Sequence, residues 1–214
     1  MKVGILGSGH VGRTLGAGFV EHGHEVGMGT RHIDGDGALA FLDKAGDRGW
    51  VDTYAEVAAW CDMAVFVPEW SAATHVVELA GAENLVGKVV IDVTNALGDD
   101  KDGHPMLPLG PADSAGETVQ RMLPGARVVK AFNIVGVERM VSPKLVGGPG
   151  TMLIAGDDEN AKEIVAEVLH DFGWETADLG GIVAARAIEG VLLAWMYYGM
   201  RRGTWDHAFR ILHG

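Results

Sequence analysis

Gly7-Ser8-Gly9-His10-Val11-Gly12 is a run whose residue types and spacing specify chemistry. It matches G-x-G-x-x-G, follows the apolar run 2–6 directly and opens a stretch of helical spacing, as a dinucleotide-binding fingerprint requires. In that reading Gly7 permits the tight turn, Gly9 lets the backbone approach a pyrophosphate, and Gly12 lets helix and strand pack closely. The free N–H groups of the helix start would receive the anion. His10 stands either as a donor toward a phosphate or as an exposed residue at a helix end. The pattern alone arises by chance in a chain with 32 glycines in 214 residues, so its weight comes from its place after a strand and before a helix. About 20 residues further on, an NAD site places an acid that holds the ribose hydroxyls. This chain reads Gly29-Thr30-Arg31-His32 there, with no acid until Asp34. Arg31 offers a planar fork for a 2′-phosphate, Thr30 a hydroxyl and His32 a third donor. The cofactor expected is NADP(H).

Such a site needs a sheet whose strand ends meet at one edge. Strand-length apolar runs recur at 2–6, 25–28, 63–67, 89–93, 127–130, 152–155 and 175–177, with helical spacing at 11–22, 72–79, 116–123 and 161–172. Continuous apolar strands alternating with amphipathic helices predict an α/β, Rossmann-type, mostly parallel sheet with helices on both faces. Residues 1–180 are expected to form the NADP-binding domain. Residues 181–214 would form a C-terminal helical segment packed on it: a long helix to Met200, the turn Gly203-Thr204, and a short closing helix. The stretch 99–111, with three prolines, reads as a long loop. Gly156-Asp157-Asp158-Glu159 reads as an acidic helix start capped by Asp157 or Asp158, not as a metal site.

Composition narrows the partners. The apolar share is 48%, the charged share 21% and the mean hydropathy +0.14, which describes a globular chain. A formal charge of −12 argues against nucleic-acid backbones and anionic membrane surfaces. The longest apolar stretch, 191–200, is half a membrane span, the N-terminus shows no export signal, and a lone Cys61 requires no oxidising compartment. A cytoplasmic protein is expected.

The fingerprint, the Thr30-Arg31 turn, Asp92-Val93-Thr94-Asn95 and Val128-Val129-Lys130-Ala131-Phe132-Asn133 together resemble the NADP oxidoreductases dependent on the deazaflavin coenzyme F420. They are equally similar to the cytosolic reductase domain of the six-transmembrane ferric reductases, whose membrane part this sequence lacks. The resemblance extends over nearly the whole chain, to Gly203-Thr204-Trp205-Asp206-His207-Ala208-Phe209. It implies that Gly9 to Gly12 contact the pyrophosphate and that Thr30, Arg31 and His32 hold the 2′-phosphate. Val67-Pro68 and Ala131 to Asn133 would then lie beside the nicotinamide. His32 stands where the deazaflavin enzymes usually carry a second Arg. The implied activity is hydride transfer between NADP(H) and a flavin-like carrier: F420, or otherwise free FMN or FAD. Stacked rings need little protein acid or base, so no catalytic side chain is assigned. A reductase of small imines or carbonyls and a non-catalytic NADPH sensor are the alternatives.

Other residues have plainer readings. His22 and His24, flanking Gly23, make a poor metal pair, and Cys61 reads as a small buried hydrophobe at the start of a strand. Arg186 and Glu189, at i and i+3, are either a surface ion pair or cleft-facing groups. Trp70 after the Val67-Pro68 turn and Trp205 in the C-terminal helix–helix turn are candidates to stack on a planar substrate. Leu192, Leu193, Trp195, Met196 and Tyr197 serve either the core or a homodimer interface.

Overall fold

Alternation along the strands sends side chains to opposite faces of a sheet, and here both faces are covered. In the computed structural model, which describes residues 1–212 and 214, β1 (Lys2–Leu6) leads to α1 (His10–Glu21), β2 (Glu25–Gly29), α2 (Asp36–Ala45), β3 (Gly49–Asp52) and α3 (Tyr54–Trp60). Then come β4 (Met63–Phe66), α4 (Ala73–Ala80), β5 (Val89–Asp92), the short antiparallel pair β6 (Gly98–Asp99) and β7 (Pro105–Met106), and α5 (Ala115–Met122). The chain closes with β8 (Arg127–Lys130), β9 (Thr151–Gly156), α6 (Glu159–Asp171), β10 (Glu175–Asp178) and α7 (Ala185–Arg202). The main sheet runs β10-β9-β8-β5-β4-β1-β2-β3. It is parallel from β3 to β8, and β9 joins antiparallel to β8. This is the expected Rossmann-type fold, doubly wound about the β1–β4 junction.

On one face Val3, Ile5, Val65 and Ile91 pack with Leu15, Phe19, Val165 and Ile188 of α1, α6 and α7. On the other, Leu6, Phe66 and Val90 pack with Val57, Val76 and Val119 of α3, α4 and α5. Asp158 caps α6, its carboxylate accepting from the Ala161 N–H at 2.7 Å.

The structure departs from the sequence reading in several places. The stretch 30–62 holds α2, β3 and α3, of which periodicity gave no sign. β3 is a four-residue, half-buried edge strand, too short and too wet for an apolar run. Its neighbour α3 does carry a signal: Thr53 Oγ1 accepts from the Glu56 N–H, the capping pattern T-x-x-E. Cys61 ends α3 rather than opening a strand, though it is buried, and burial pushes its thiol pKa up. The 99–111 loop contains β7 and the second residue of β6.

Among the described residues, no closing helix follows residue 203. Gly203, in the left-handed region at φ 66°, ends α7, and the described tail then runs without helix or strand. Its backbone groups bond elsewhere: the His207 carbonyl accepts from Trp195 Nε1 at 2.9 Å, and the Phe209 carbonyl from the Thr151 N–H at 2.9 Å. The helical stretch Ile182–Arg202, with a mean hydropathy of 1.2 in its most apolar window, has the length and composition to cross a membrane. Yet Ile188, Leu192 and Trp195 are committed to the same core as β1.

Candidate functional site

The carboxyl ends of the parallel strands continue their ladder by one residue each. Val67 N–H donates to the Leu6 carbonyl at 3.3 Å, Val93 to Phe66 at 3.0 Å, and Ala131 to Asp92 at 3.1 Å. The turns after β1, β4, β5 and β8 therefore stand side by side along one edge, at the place where α/β sheets bind ligands.

At one end of this edge is the fingerprint. Gly7 has φ 145°, and a Cβ there would meet the Val67 carbonyl oxygen at 2.9 Å. A Cβ on Gly12 would sit 2.0 Å from the Gly7 carbonyl oxygen, so only glycine lets α1 lie this close to β1. Above Gly9 nothing stands within 4 Å of such a Cβ, and Gly9 begins α1 without a side-chain cap or an acid in the first turn. The helix start thus keeps N–H groups free toward open space, the arrangement an anion requires. Ser8 and His10 flank it, Ser8 half-buried and His10 exposed, and Val11 is half-buried below.

Thr30 is buried beside this loop, and its hydroxyl and that of Ser8 are 3.0 Å apart. Arg31 and His32 are exposed and, with Ile33, Asp34 and Gly35, line a hollow of about 480 Å³. Arg31 makes no ion pair among the described residues, so its guanidinium is available to an incoming anion. The Thr30 hydroxyl accepts from the His32 N–H at 3.3 Å, fixing the turn that carries both side chains.

At the other end the turns are closed. Ala131 and Asn133 are buried, and Val67 and Pro68 half-buried. Asn133 Nδ2 donates to Asn95 Oδ1 at 2.9 Å, and Asn95 Nδ2 donates to the Asn133 carbonyl at 3.2 Å. Asn133 Oδ1 is buried without a donor. Trp70 is half-buried on a 3₁₀ turn (Trp70–Ala72), against the α3–α4–α5 face. Trp205 lies in the irregular tail after α7, not between two helices, and is 47% exposed. Its ring packs on Trp195 with centroids 5.2 Å apart, and its carbonyl oxygen is 3.2 Å from where a Gly136 Cβ would stand, on the loop that follows Asn133.

The dinucleotide geometry has counterparts elsewhere. Residues 2–96 match the family of NADP oxidoreductases that are coenzyme F420-dependent. A protein of Arthrobacter sp. FB24, assigned as an F420-dependent NADP-reductase, is 34% identical with a TM-score of 0.92, each chain covered in full. The chain belongs to the coenzyme F420-dependent NADP oxidoreductase family. Rat metalloreductase STEAP3 is 30% identical over 194 residues, 90% of this chain but 36% of that protein, so the chain spans about a third of its length. An imine reductase of Streptomyces aurantiacus, at 15% identity and TM-score 0.67, shares the fold over 94% of this chain and 64% of its own.

In this NADP-dependent oxidoreductase several residues at the carboxyl edge escaped the sequence reading. Arg13 donates through Nη1 to the Ser8 carbonyl at 2.9 Å and braces the fingerprint from α1. Lys130, Asp92 and Glu189 form a buried charge cluster. Each of two strands, Val-Val-Ile-Asp and Arg-Val-Val-Lys, ends on an ionisable residue, a partial signal that does not say the two meet or that Glu189 joins them. Glu189 and Arg186 do not pair with one another. Arg186 forks the Glu117 carboxylate at 2.8 and 2.6 Å on the surface, which holds the Glu117 pKa below the usual carboxylate range. Glu189, three residues on, turns inward. His22 Nδ1 donates to the Gly18 carbonyl at 2.8 Å, and His24 Nδ1 lies 3.3 Å from the N-terminal amine, so each ring has a local partner.

Proposed function

We propose that this oxidoreductase passes a hydride between NADP(H) and a flavin-like carrier, with coenzyme F420 first and FMN or FAD as the alternatives. The observation that carries the reading is the full-length match, at 34% identity, to the Arthrobacter protein assigned as an F420-dependent NADP-reductase. The residues fit the cofactor. The open ground above Gly9, the uncapped start of α1 and the unpaired Arg31 suit a pyrophosphate and a 2′-phosphate.

Gly7 to Gly12 bind the pyrophosphate through backbone N–H groups; Thr30, Arg31 and His32 hold the 2′-phosphate. Val67, Pro68, Ala131 and Asn133 form the wall beside the nicotinamide, with Asn133 Oδ1 an acceptor for a carboxamide N–H. NADPH supplies the hydride when bound. The chain's own task is to align two rings and keep water away, which requires no acid or base at the reacting atoms. Trp205, and next Trp70, offer the aromatic surface on which the carrier rests. The exposed Tyr197, Tyr198 and Met200 on α7 are the surface through which two copies would pair. The buried, lone Cys61 suits a cytoplasmic setting.

The test is NADPH oxidation by the purified chain against F420, FMN, FAD and a ferric chelate. Turnover with F420, and little with the rest, is the expected result. Turnover with the ferric chelate alone would align the chain with its metalloreductase relative. Tight NADPH binding with no acceptor turned over would leave a sensor.

A further inference from the structure

Lys130 has no exposed surface, and its ammonium has three acceptors around it: Asp92 Oδ2 at 2.9 Å, Glu189 Oε1 at 3.0 Å, and the Thr94 carbonyl. Every N–H is therefore directed at the protein, and none is left for a substrate. The two carboxylates are equally occupied. Asp92 Oδ1 accepts from the Thr94 N–H at 2.9 Å and its hydroxyl at 2.7 Å. Glu189 accepts from the Ala115 and Gly116 N–H groups, each at 3.0 Å, at the start of α5.

A buried ion cluster is a poor source of net stability, since well-packed apolar groups do as well. What it does supply is geometry. Lys130 ends β8, Asp92 ends β5, and Glu189 comes from α7, so one ammonium ties three elements together at the carboxyl edge. Its grip on the Thr94 carbonyl fixes the turn that carries Asn95, and Asn95 pairs with Asn133. Between Lys130 and Asn133 stands Phe132, fully buried at φ 63°, a conformation that a bulky residue keeps only where its surroundings impose it.

We propose that Lys130, clamped by Asp92 and Glu189, is a positioning residue for the nicotinamide half of NADP(H), and that through Glu189 the helix α7 is part of the cofactor site. The inference rests on the NADP(H) reading above. It assigns the cluster no contact with the reacting atoms.

The experiment compares two ligands by equilibrium binding. NADPH spans the whole carboxyl edge, whereas adenosine 2′,5′-bisphosphate carries only the half that Arg31 would hold. Lys130→Met should weaken NADPH by at least about 10-fold, because unpinned turns must be ordered on binding. Adenosine 2′,5′-bisphosphate should stay within about 2-fold of wild type on the same scale. Glu189→Gln keeps the side-chain shape and a carbonyl acceptor for the start of α5; it should show the same selective loss in weaker form, and it stands in if Lys130→Met does not fold. Equal weakening of both ligands, or unchanged NADPH binding in a folded variant, overturns the proposal. A wild-type chain that binds neither ligand overturns the NADP(H) reading together with it; one that binds the bisphosphate as tightly as NADPH overturns the positioning role alone.

Discussion

The two ends of the carboxyl edge are built on opposite principles. Around Gly9 and Arg31 the polar groups are unsatisfied and face open space: a helix start without a cap, and a guanidinium without a carboxylate. Around Lys130 the ammonium and both carboxylates are hydrogen-bonded and closed off, and the amides of Asn95 and Asn133 bond to one another. A site for phosphates must hold donors in reserve, since their value lies in the anion that arrives. A site that orients a ring needs walls that do not move, and groups bonded to one another provide them.

If this contrast is correct, substitutions at the two ends should separate stability from binding. The largest effect is expected for Lys130→Met, which leaves two buried carboxylates unmatched. Loss of one partner of such a cluster costs about 3–5 kcal/mol. For a chain of this length that lowers the melting temperature by roughly 6–20 °C. Arg31→Ala, at the open end, should leave the melting temperature nearly unchanged, because an exposed, unpaired side chain contributes within about 0.5 kcal/mol. Equal melting shifts for the two variants would erase the distinction.

Next in size is the effect of Arg31→Ala on binding. Losing a charge-assisted contact to the 2′-phosphate removes roughly 1.5–3 kcal/mol. NADPH should weaken about 10- to 100-fold in titrations, with NADH barely altered. Parallel loss of both cofactors would make Arg31 a structural residue.

Trp205→Ala probes the flank of the closed end. One aromatic stacking contact to the carrier is worth on the order of 1 kcal/mol, so the KM for the acceptor should rise several-fold while NADPH affinity holds. Since the ring also rests on Trp195 and Gly199, a thermal melt accompanies the kinetics. A much lower melt with loss of both ligands would identify Trp205 as packing and pass the acceptor role to Trp70.

The smallest effect concerns pH. Arg186 lowers the Glu117 pKa in the folded chain, so their pair stabilises above the unfolded carboxylate pKa. That contribution disappears as pH falls through the folded value. For a pair at the surface it amounts to at most about 1 kcal/mol. Denaturant midpoints of Glu117→Gln and wild type should therefore differ near neutrality and converge in acid.

Local rules were enough for much of this protein. Strand-length runs located seven of the eight strands in the main sheet, most of them because a strand buried on both faces must be continuously apolar. The glycine-rich loop and the Thr30-Arg31 turn were legible because each is contiguous in sequence: a turn, a helix start and the next strand end. The edge strand β3 was not, being short and half-buried, and the tail after Gly203 was not, because its backbone bonds go to Thr151 and Trp195, far off in sequence. The Lys130 cluster belongs to the same class. Its members lie at positions 92, 130 and 189, and nothing local says that Glu189 turns inward while Arg186 stays on the surface. Short-range patterning therefore determined most of the strands and the glycine-rich loop after β1. Only the tertiary structure decided which charges are buried together, since a buried charge is tolerated where distant elements bring its partners within hydrogen-bonding distance.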